Sequence, residues 1–338
     1  MSIPLINVLE FAQVIDLLDK VASPKAVNRA LAASDISRRL LSRTQGFIPY
    51  RLEASVVEHV ARSIGDPYLG ARAAPQFDYE AYATYARYVL GASTLGAALA
   101  RGSKAFPMIQ PGGEIVLSET ADHLLVGRKS RINTVLGHHH LDDGALFILI
   151  RVIRHFLGQD WRPAWVEATG EEKMRMQYLE DRIEASVHRG AEIPSVALQK
   201  TVLSTPNPAP VSPDEIVSQS DLSVLGFAHP AQTMTDTVSH FIQTQIALYG
   251  ASEEQVAHRL ALGPRTLQRA LQKEGTSFRE IKARIIEHRA RALLTETNLP
   301  VATIAVSLGY GETKSFQRAF HKWTGFWPHA YRRVHGVA

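Results

Sequence analysis

The chain has 338 residues, of which 45% are hydrophobic and 21% charged, a composition typical of a soluble globular protein with two or three domains. It contains no cysteine, which excludes disulfides, cysteine–zinc sites and thiol catalysis and favours a reducing compartment. The first residues lack a basic segment followed by an apolar run, and no apolar run is long enough to span a bilayer, so we expect a cytoplasmic protein that makes no membrane contact.

The net charge of +4 is unevenly distributed along the chain. Residues 254–335 contain 14 Lys and Arg against 6 Asp and Glu, whereas the remainder contains 23 against 27. A basic C-terminal part beside a slightly acidic remainder is typical of a domain that binds a polyanion. A basic face that is merely solvated is the alternative.

The first half of the chain begins with helical periodicity. Apolar residues recur at three- and four-residue steps in residues 7–21, 51–63 and 79–105, and the last of these has weak points at Gly91 and Gly96. These segments are therefore predicted to be helices.

The periodicity then changes. Residues 114–118 and 123–127 predict a β-hairpin. Asp142 and Asp143 are residue types that cap helices, so we expect a helix from about Gly144 to Leu157. Two further strands are predicted at residues 165–168 and 185–188. Residues 1–205 therefore form a mixed α and β domain.

Four prolines mark the boundary that follows. They fall within eight positions, where they exclude a helix, and the segment lacks strand alternation; they are Pro206, Pro208, Pro210 and Pro213. Residues 206–233 are therefore predicted to be a linker between the first domain and a second domain at residues 234–336.

The second domain is predicted to be helical nearly throughout. A helix at residues 235–249 ends at Gly250, and Ser252 caps the next helix. Ser277 or Thr276 caps a long helix at residues 278–296. Pro300 precedes the last part of the domain, at a position where proline is tolerated.

One short pattern occurs twice in this domain, at about residues 253–274 and 301–324. Each copy has a short amphipathic helix, a tight turn, and a second helix that carries a Gln-Arg pair on its polar side. This layout is typical of a helix-turn-helix that reads DNA. The domain therefore contains two such units joined by a long helix.

The second helix of each copy has an apolar and a polar stripe. The apolar residues are Leu267, Ala270 and Leu271 in the first copy and Phe316, Ala319, Phe320 and Trp323 in the second. The polar residues are Arg265, Gln268, Arg269 and Gln272 in the first and Lys314, Gln317, Arg318 and His321 in the second. Arg can donate two hydrogen bonds to guanine, and Gln can pair with adenine or a phosphate. A solvated helix face is the alternative.

The motifs in residues 235–334 identify a family. They include Val256-Ala257-His258-Arg259-Leu260, Leu308-Gly309-Tyr310 and Phe316-Gln317-Arg318-Ala319-Phe320-His321-Lys322-Trp323-Thr324-Gly325. The segment resembles the DNA-binding domain of AraC/XylS transcriptional regulators. This resemblance implies that the second helices enter successive major grooves, roughly 34 Å apart.

The resemblance also implies which residues contact DNA. The base-reading residues are Arg265, Gln268 and Arg269 in the first unit and Thr313, Lys314, Gln317 and Arg318 in the second. Thr266 is expected to cap its helix or touch a phosphate.

Two residues depart from the family pattern. Gly311 replaces a small polar residue, which predicts a weaker cap on the second recognition helix, and Trp327 is expected to pack against Tyr331. We therefore expect the first unit to supply more of the base-specific energy and the second to tolerate more operator variation.

The first domain is similar to the arabinose-binding-like effector domain of this family. The similarity rests on Leu141-Asp142-Asp143-Gly144-Ala145 and on the strand pairs near Trp165 and Val187. It implies an unidentified small-molecule effector, bound by residues that the sequence does not reveal, and a homodimer.

Taken together, the patterns predict an α+β protein: a mixed α/β effector domain and an all-α domain with two helix-turn-helix units. The predicted function is sequence-specific transcriptional regulation, as an activator, with double-stranded DNA and RNA polymerase as partners and without cofactor, metal or catalytic residues. The alternative is an enzyme or ligand-storage domain with an incidental basic helical tail.

Three weaker patterns have interpretations that require no binding site. Neighbouring histidines on an extended chain point to opposite faces, so His138-His139-His140 is not expected to hold a metal. Arg39 and Arg43 have a spacing that suits a phosphate-bearing ligand such as a cyclic dinucleotide, or they belong to a solvated helix face. Gly112-Gly113 is predicted to be a turn.

Overall fold

The computed structural model describes residues 4–38, 41, 47–82, 84–130, 132, 135–209, 217–218, 222, 233–245, 252–260, 262–297 and 299–335. The chain divides into two compact units, one of residues 4–230 and the other mainly of residues 231–338. The first is a mixed α/β unit and the second is helical, which confirms the predicted fold class. Most of the predicted linker, including Pro210 and Pro213, lies outside the described residues.

Helices and two short strands form the first part of the N-terminal unit. Strands β1 (Leu5–Asn7) and β2 (Phe47–Pro49) pair in antiparallel fashion. The helices are α1 (Val8–Val21), α2 (Pro24–Ala33), α3 (Tyr50–Ile64), α4 (Leu69–Ala73), α5 (Thr84–Leu90) and α6 (Leu95–Ile109).

A five-stranded sheet and two more helices complete this unit. They are β3 (Glu114–Glu119), β4 (His123–Lys129), α7 (His138–Leu157), β5 (Trp165–Glu167), α8 (Lys173–Ile183), β6 (Val187–His188) and β7 (Ser195–Gln199). The strand order is β3-β4-β7-β5-β6, and neighbours are antiparallel except β5 and β6. The predicted hairpin is therefore confirmed as β3 and β4.

Two apolar clusters form the core of this unit. One includes buried residues of α5, α6, α7 and the sheet, such as Leu95, Ile153 and Val196. The other includes buried residues of α1, α2 and α3, such as Phe11 and Leu31. Sheet and helices thus bury their apolar faces in the way that layered α/β units require.

The start of α7 differs from the prediction. The helix begins at His138, after Gly137 in the left-handed region with φ +83°. A Cβ atom at Gly137 would lie 2.5 Å from the carbonyl oxygen of Ala54 in α3, so a glycine is needed at this close approach. Asp142 and Asp143 are not caps; they lie inside α7 and are buried.

The prediction of a single helix at residues 79–105 was also wrong. Residues Tyr79–Tyr82 form a 3-10 turn, α5 ends at Leu90, and Thr94 then caps α6 with a hydrogen bond to Ala97 N. Gly96 lies within α6 and causes no break. Strand β7 was not predicted at all, because four of its five residues are buried and show no alternation.

The C-terminal unit consists of α9 (Met234–Gln245), α10 (Glu253–Arg259), α11 (Pro264–Lys273), α12 (Phe278–Glu296), α13 (Val301–Ser307), α14 (Thr313–Thr324) and α15 (Pro328–His335). Two helix pairs, α10–α11 and α13–α14, match the repeated sequence pattern, and α12 packs against α9, α13, α14 and α15. The predicted stop at Gly250 lies outside the described residues.

Local capping explains where these helices begin. Ser252 and Gln255 form a capping box at α10, and Ser277 and Glu280 form another at α12. Ser277, not Thr276, is thus the cap of the long helix. Pro300 occupies the N-cap of α13.

Candidate nucleic-acid interface and buried cavities

The two predicted recognition helices, α11 and α14, present matching residues in the same register. Arg265 and Lys314 are each the second residue of their helix, because α11 starts at Pro264 and α14 at Thr313. The pairs Gln268-Arg269 and Gln317-Arg318 follow at equal distances from these starts. The doubled sequence pattern therefore corresponds to doubled helix geometry.

The polar stripe of each helix faces outward. Arg265, Thr266, Gln268 and Arg269 are exposed, as are Lys314 and Arg318, whereas Thr313 and Gln317 are half-buried. Within the described part of the chain, the side chains of Arg265, Gln268, Arg269, Lys314, Gln317 and Arg318 make no hydrogen bond or ion pair. Four cations on these two helices therefore have no side-chain partner among the described residues.

The opposite stripes hold both helices in place. Leu267 and Leu271 of α11 are fully buried, as are Phe316 and Phe320 of α14. The ring centroid of Phe320 lies 5.2 Å from that of Tyr331 on α15, in an edge-on contact. Anchoring in the core fixes the direction of the polar stripe, which a base-reading helix requires.

The second recognition helix lacks a side-chain cap, as predicted, but capping does not distinguish it from the first. The second recognition helix has Glu312 as its N-cap and no side-chain cap, as expected beside Gly311. The first, however, has Gly263 as its N-cap and also lacks a side-chain cap. Thr266 donates its backbone N–H to the Gly263 carbonyl, and no cap contact of its hydroxyl is found among the described residues.

Trp327 also departs from its predicted contact. Its ring lies 4.6 Å from that of His321 on α14 and is half exposed. Tyr331 instead contacts Phe320, Phe326 and His335. Trp327 thus extends the surface of the recognition helix at its C-terminal end.

The N-terminal unit contains a cavity of about 60 Å³ where its two apolar clusters meet. We call it the Glu10–Glu53 cavity, after its two buried carboxyl groups. Its other lining residues are Val14, Leu17, Leu18, Tyr50, Val57, Leu69, Gly70, Ala73, Ala74, Phe77, Arg128, His140, Leu141, Gly144 and Ile148.

Arg128 is held firmly at one side of this cavity. Its Nη1 donates to the Tyr50 hydroxyl, and its Nη2 donates to the Leu141 carbonyl at 2.9 Å. Nη2 also lies 3.4 Å from Asp142 Oδ1, and Asp142 Oδ2 accepts a 2.9 Å hydrogen bond from Thr169. Asp142 is therefore the ion-pair partner of Arg128.

The carboxylate oxygens of the two glutamates in the cavity have fewer hydrogen-bond partners. Glu10 and Glu53 are only 7% and 3% exposed. Among the described residues, Glu10 Oε2, Glu53 Oε2 and Arg128 Nε have no hydrogen-bond partner. Buried polar atoms without partners are rare in native proteins and require an explanation.

Burial changes the titration of these groups. Desolvation raises the pKa of Glu10 to about 7, against the lowering effects of Arg128 and a hydrogen bond with Tyr82. Desolvation, reinforced by the charge of Glu10, raises the pKa of Glu53 well above its ordinary value. Burial thus shifts both carboxyl groups toward the neutral form in spite of the nearby charge of Arg128.

A second cavity, of about 50 Å³, lies between the hairpin and helices α5, α6 and α7. It is apolar, and its polar atoms come chiefly from the hydroxyl groups of Tyr79, Tyr82 and Tyr85, whose rings contact one another. Ile148 lines both cavities. The two cavities are therefore adjacent, and the tyrosine cluster lines only the second.

The three histidines do not lie on an extended chain, so the geometric argument against a metal was wrong. They form the first turn of α7, and ligand atoms of Glu58, His139 and His140 lie within 4.8 Å of one another. His140 Nε2 is 3.3 Å from Glu58 Oε2, and its Nδ1 accepts from Gly70 N. Desolvation lowers the pKa of His140 to about 4, and both its ring nitrogens already have partners within the protein.

The arginine pattern near residue 40 yields no described site. Arg38 forms a bidentate ion pair with Asp19 and donates to Asn28. Arg39 and Arg43 lie outside the described residues. Gly112 adopts a positive φ in the turn before β3, as predicted.

Sequence reasoning missed the carboxyl groups of the Glu10–Glu53 cavity, although a signal was present. Glu10 lies on the same helix face as Val14 and Leu17, and Glu53 lies on the same face as Val57 and Val60. A carboxylate within an apolar stripe is unusual, because burying its charge is costly. Such a position indicates a buried polar site.

Comparison with known families assigns both units. Residues 26–207 match the model described as the arabinose-binding domain of AraC transcription regulator, N-terminal. Residues 256–334 match a helix-turn-helix domain. The first match covers more than half of the chain.

Similar proteins include several regulators. The chain is 39% identical over 81 residues to the ornithine utilization regulator of Pseudomonas aeruginosa, covering 24% of each protein. It is 33% identical over 147 residues to the transcriptional regulator VqsM of the same species, covering 41% of this chain and 43% of VqsM. It is 32% identical over 106 residues to VirS of Mycobacterium tuberculosis, covering 31% of each. The matched segments thus span less than half the length of these relatives.

Among solved structures, the transcriptional regulator CdpR from Pseudomonas aeruginosa aligns over 91% of this chain and 97% of its own, with a TM-score of 0.43 and 20% identity. Among the described residues, no helix is both long and apolar enough to cross a membrane.

Proposed function

The chain belongs to the AraC-type family of transcriptional regulators, with an arabinose-binding-like effector domain before its helix-turn-helix domain, and from that premise we propose how its residues act. Arg265, Gln268 and Arg269 of α11 contact DNA together with Thr313, Lys314, Gln317 and Arg318 of α14. Thr266 contacts a phosphate.

One observation supports this assignment most directly. Two helices in equal register expose Arg or Lys, Gln and Arg side chains that have no partner within the described chain. Major-groove recognition uses this chemistry, because Arg pairs bidentately with guanine and Gln with adenine. An incidental basic tail on an enzyme or storage domain has no reason to repeat the same register twice.

We further propose a small-molecule effector in the N-terminal unit, homodimerisation through that unit, activation in contact with RNA polymerase, and a cytoplasmic location without catalysis. Residues 1–205 act as the effector domain, residues 206–233 as a linker, and residues 234–336 as the DNA-binding domain. The residue patterns of the chain and its family support these assignments.

A mobility-shift experiment tests the proposal. The full chain is titrated onto the DNA upstream of its own gene in the presence of excess random DNA. We expect a shifted band that survives the competitor, because specific sites bind about 10³–10⁷ times more tightly than random DNA. Binding that is uniform across sequences and lost at moderate salt would contradict sequence-specific regulation.

A further inference from the structure

We infer that the Glu10–Glu53 cavity is the effector site and that it takes an amphipathic cation, with an apolar body and a protonated amine that lies between Glu10 and Glu53. The effector role rests on the proposed function. The binding of such a cation does not depend on it.

The count of buried charges points to a cation. Among the described residues, three carboxyl groups, those of Glu10, Glu53 and Asp142, interact with the one guanidinium that lines the cavity, that of Arg128. Because Asp142 already pairs with Arg128, no other cation among the described residues pairs with the two glutamates. A ligand ammonium group would satisfy the two carboxylate oxygens that lack partners among the described residues.

The rest of the cavity suits an apolar body. Aliphatic side chains dominate its walls, with the rings of Phe77, Tyr50 and His140 as the aromatic contributions. Pockets of this kind bind a ligand through apolar contact and fix its orientation through a few convergent polar groups. Here the convergent groups are the two glutamates.

An anionic effector fits the same cavity poorly. Arg128 already donates to Tyr50, Leu141 and Asp142, so only its Nε lacks a partner among the described residues. An added carboxylate would also meet the carboxyl groups of Glu10 and Glu53. Like charges in a buried site repel strongly.

We also expect ligand binding at this site to be coupled to the release of protons. At neutral pH the glutamates are partly neutral, and an arriving ammonium group favours their ionised forms, so binding releases protons. The other ionisable groups that face them are Arg128 and Asp142, which pair with each other, and Tyr50, Tyr82 and His140. The tyrosines remain neutral because burial raises their pKa, and His140 remains neutral because burial lowers its pKa.

Three probes with equal apolar chains test the inference: n-octylamine, n-octanol and n-octanoate. Isothermal titration calorimetry of the full chain at pH 7, in buffers of different ionisation enthalpy, gives the affinity and the number of protons exchanged. We expect octylamine to bind about tenfold or more tightly than octanol and octanoate not to bind. We also expect release of about half to two protons per bound amine, and tighter amine binding as the pH rises from 5.5 to 7.5.

Two isosteric variants locate the amine. Glu53→Gln and Glu10→Gln should each weaken octylamine binding about tenfold and reduce proton release, with octanol binding little changed. Glu80→Gln changes an exposed glutamate of the same unit and should bind octylamine like the wild type. The wild-type proton release needs no variant, so it tests the inference even where a substitution prevents folding.

Octanoate binding as tightly as octylamine would overturn the inference and make Arg128 the anchor. Absence of octylamine binding, or binding without proton release, would overturn it as well. Failure of sequence-specific DNA binding in the mobility-shift experiment would overturn the proposed function and leave the amine result unaffected.

Discussion

At the scale of single residues, the exposed arginines of the two recognition helices are the clearest functional candidates. Arg269 and Arg318 occupy the same position in α11 and α14, and each points away from a buried apolar stripe. Their chemical role can therefore be tested by parallel substitutions.

We predict that Arg269→Ala and Arg318→Ala each cost about 1–3 kcal/mol of binding free energy, confined to one base position, because each removes a bidentate contact to a base. Fluorescence anisotropy with operator variants measures this loss. Arg182→Ala removes an exposed arginine of α8 and should leave affinity unchanged. Equal losses on operator and random DNA would instead identify phosphate contacts.

A buried carboxyl group gives a pH prediction at the same scale. Glu10 has a pKa of about 7 in the folded chain against 4.5 for the exposed group. The folded state thus holds a proton that the unfolded state releases, and stability falls as the pH rises from about 4.5 to about 7. The expected loss is on the order of 3 kcal/mol.

Calorimetric unfolding of the full chain, compared with that of Glu10→Gln at each pH, isolates this contribution. The variant should lack the loss, so its stability relative to the wild type should rise across this pH range. A constant difference at all pH values would show that Glu10 does not titrate in this way.

At the scale of secondary-structure elements, the sequence predicted the elements that neighbouring residues determine better than those that depend on contacts between distant residues. The hairpin, α12 and the four helices of the repeated units follow from periodicity and capping, which neighbouring residues determine. The start of α7 was misplaced because Asp142 and Asp143 have typical capping side chains. Their partners, Arg128 and Arg175, are 14 and 32 residues away in the sequence.

The interior of the effector unit was the least predictable part. Strand β7 is buried along most of its length and lacks the alternation that marks a strand. The two cavities are bounded by helices that are distant in sequence, so no single segment indicates them. The glutamates within apolar helix stripes, Glu10 and Glu53, were the one local sequence signal of a cavity.

A capping box supplies a prediction for one element. Ser277 accepts from Glu280 N, and Glu280 accepts from Ser277 N at 2.9 Å. We expect Ser277→Ala to destabilise the first turn of α12 by about 1 kcal/mol, because the cap is lost. Hydrogen exchange of peptides from α12 measures this effect as a roughly fivefold loss of protection.

Ser252→Ala is the matched control, since it removes the other capping box, at α10. It should reduce protection in α10 and leave α12 unchanged. Unchanged exchange in α12 of Ser277→Ala would contradict a capping role for Ser277.

At the scale of the whole molecule, a basic C-terminal unit follows an effector unit that contains an acid-lined cavity. The family of the chain relates these two parts as DNA reader and sensor. The proposed binding of an amine would add the chemical class of the signal. The proposed function depends most on base recognition by both helices, α11 and α14.

Selection of binding sites from a random DNA library by the full chain tests that claim most directly. We predict two blocks of base preference about one helical turn, 10–10.5 base pairs, apart. Arg269→Ala should remove a preference in one block and Arg318→Ala in the other. A single block, or enrichment without base preference, would contradict the claim that both helices read the DNA sequence.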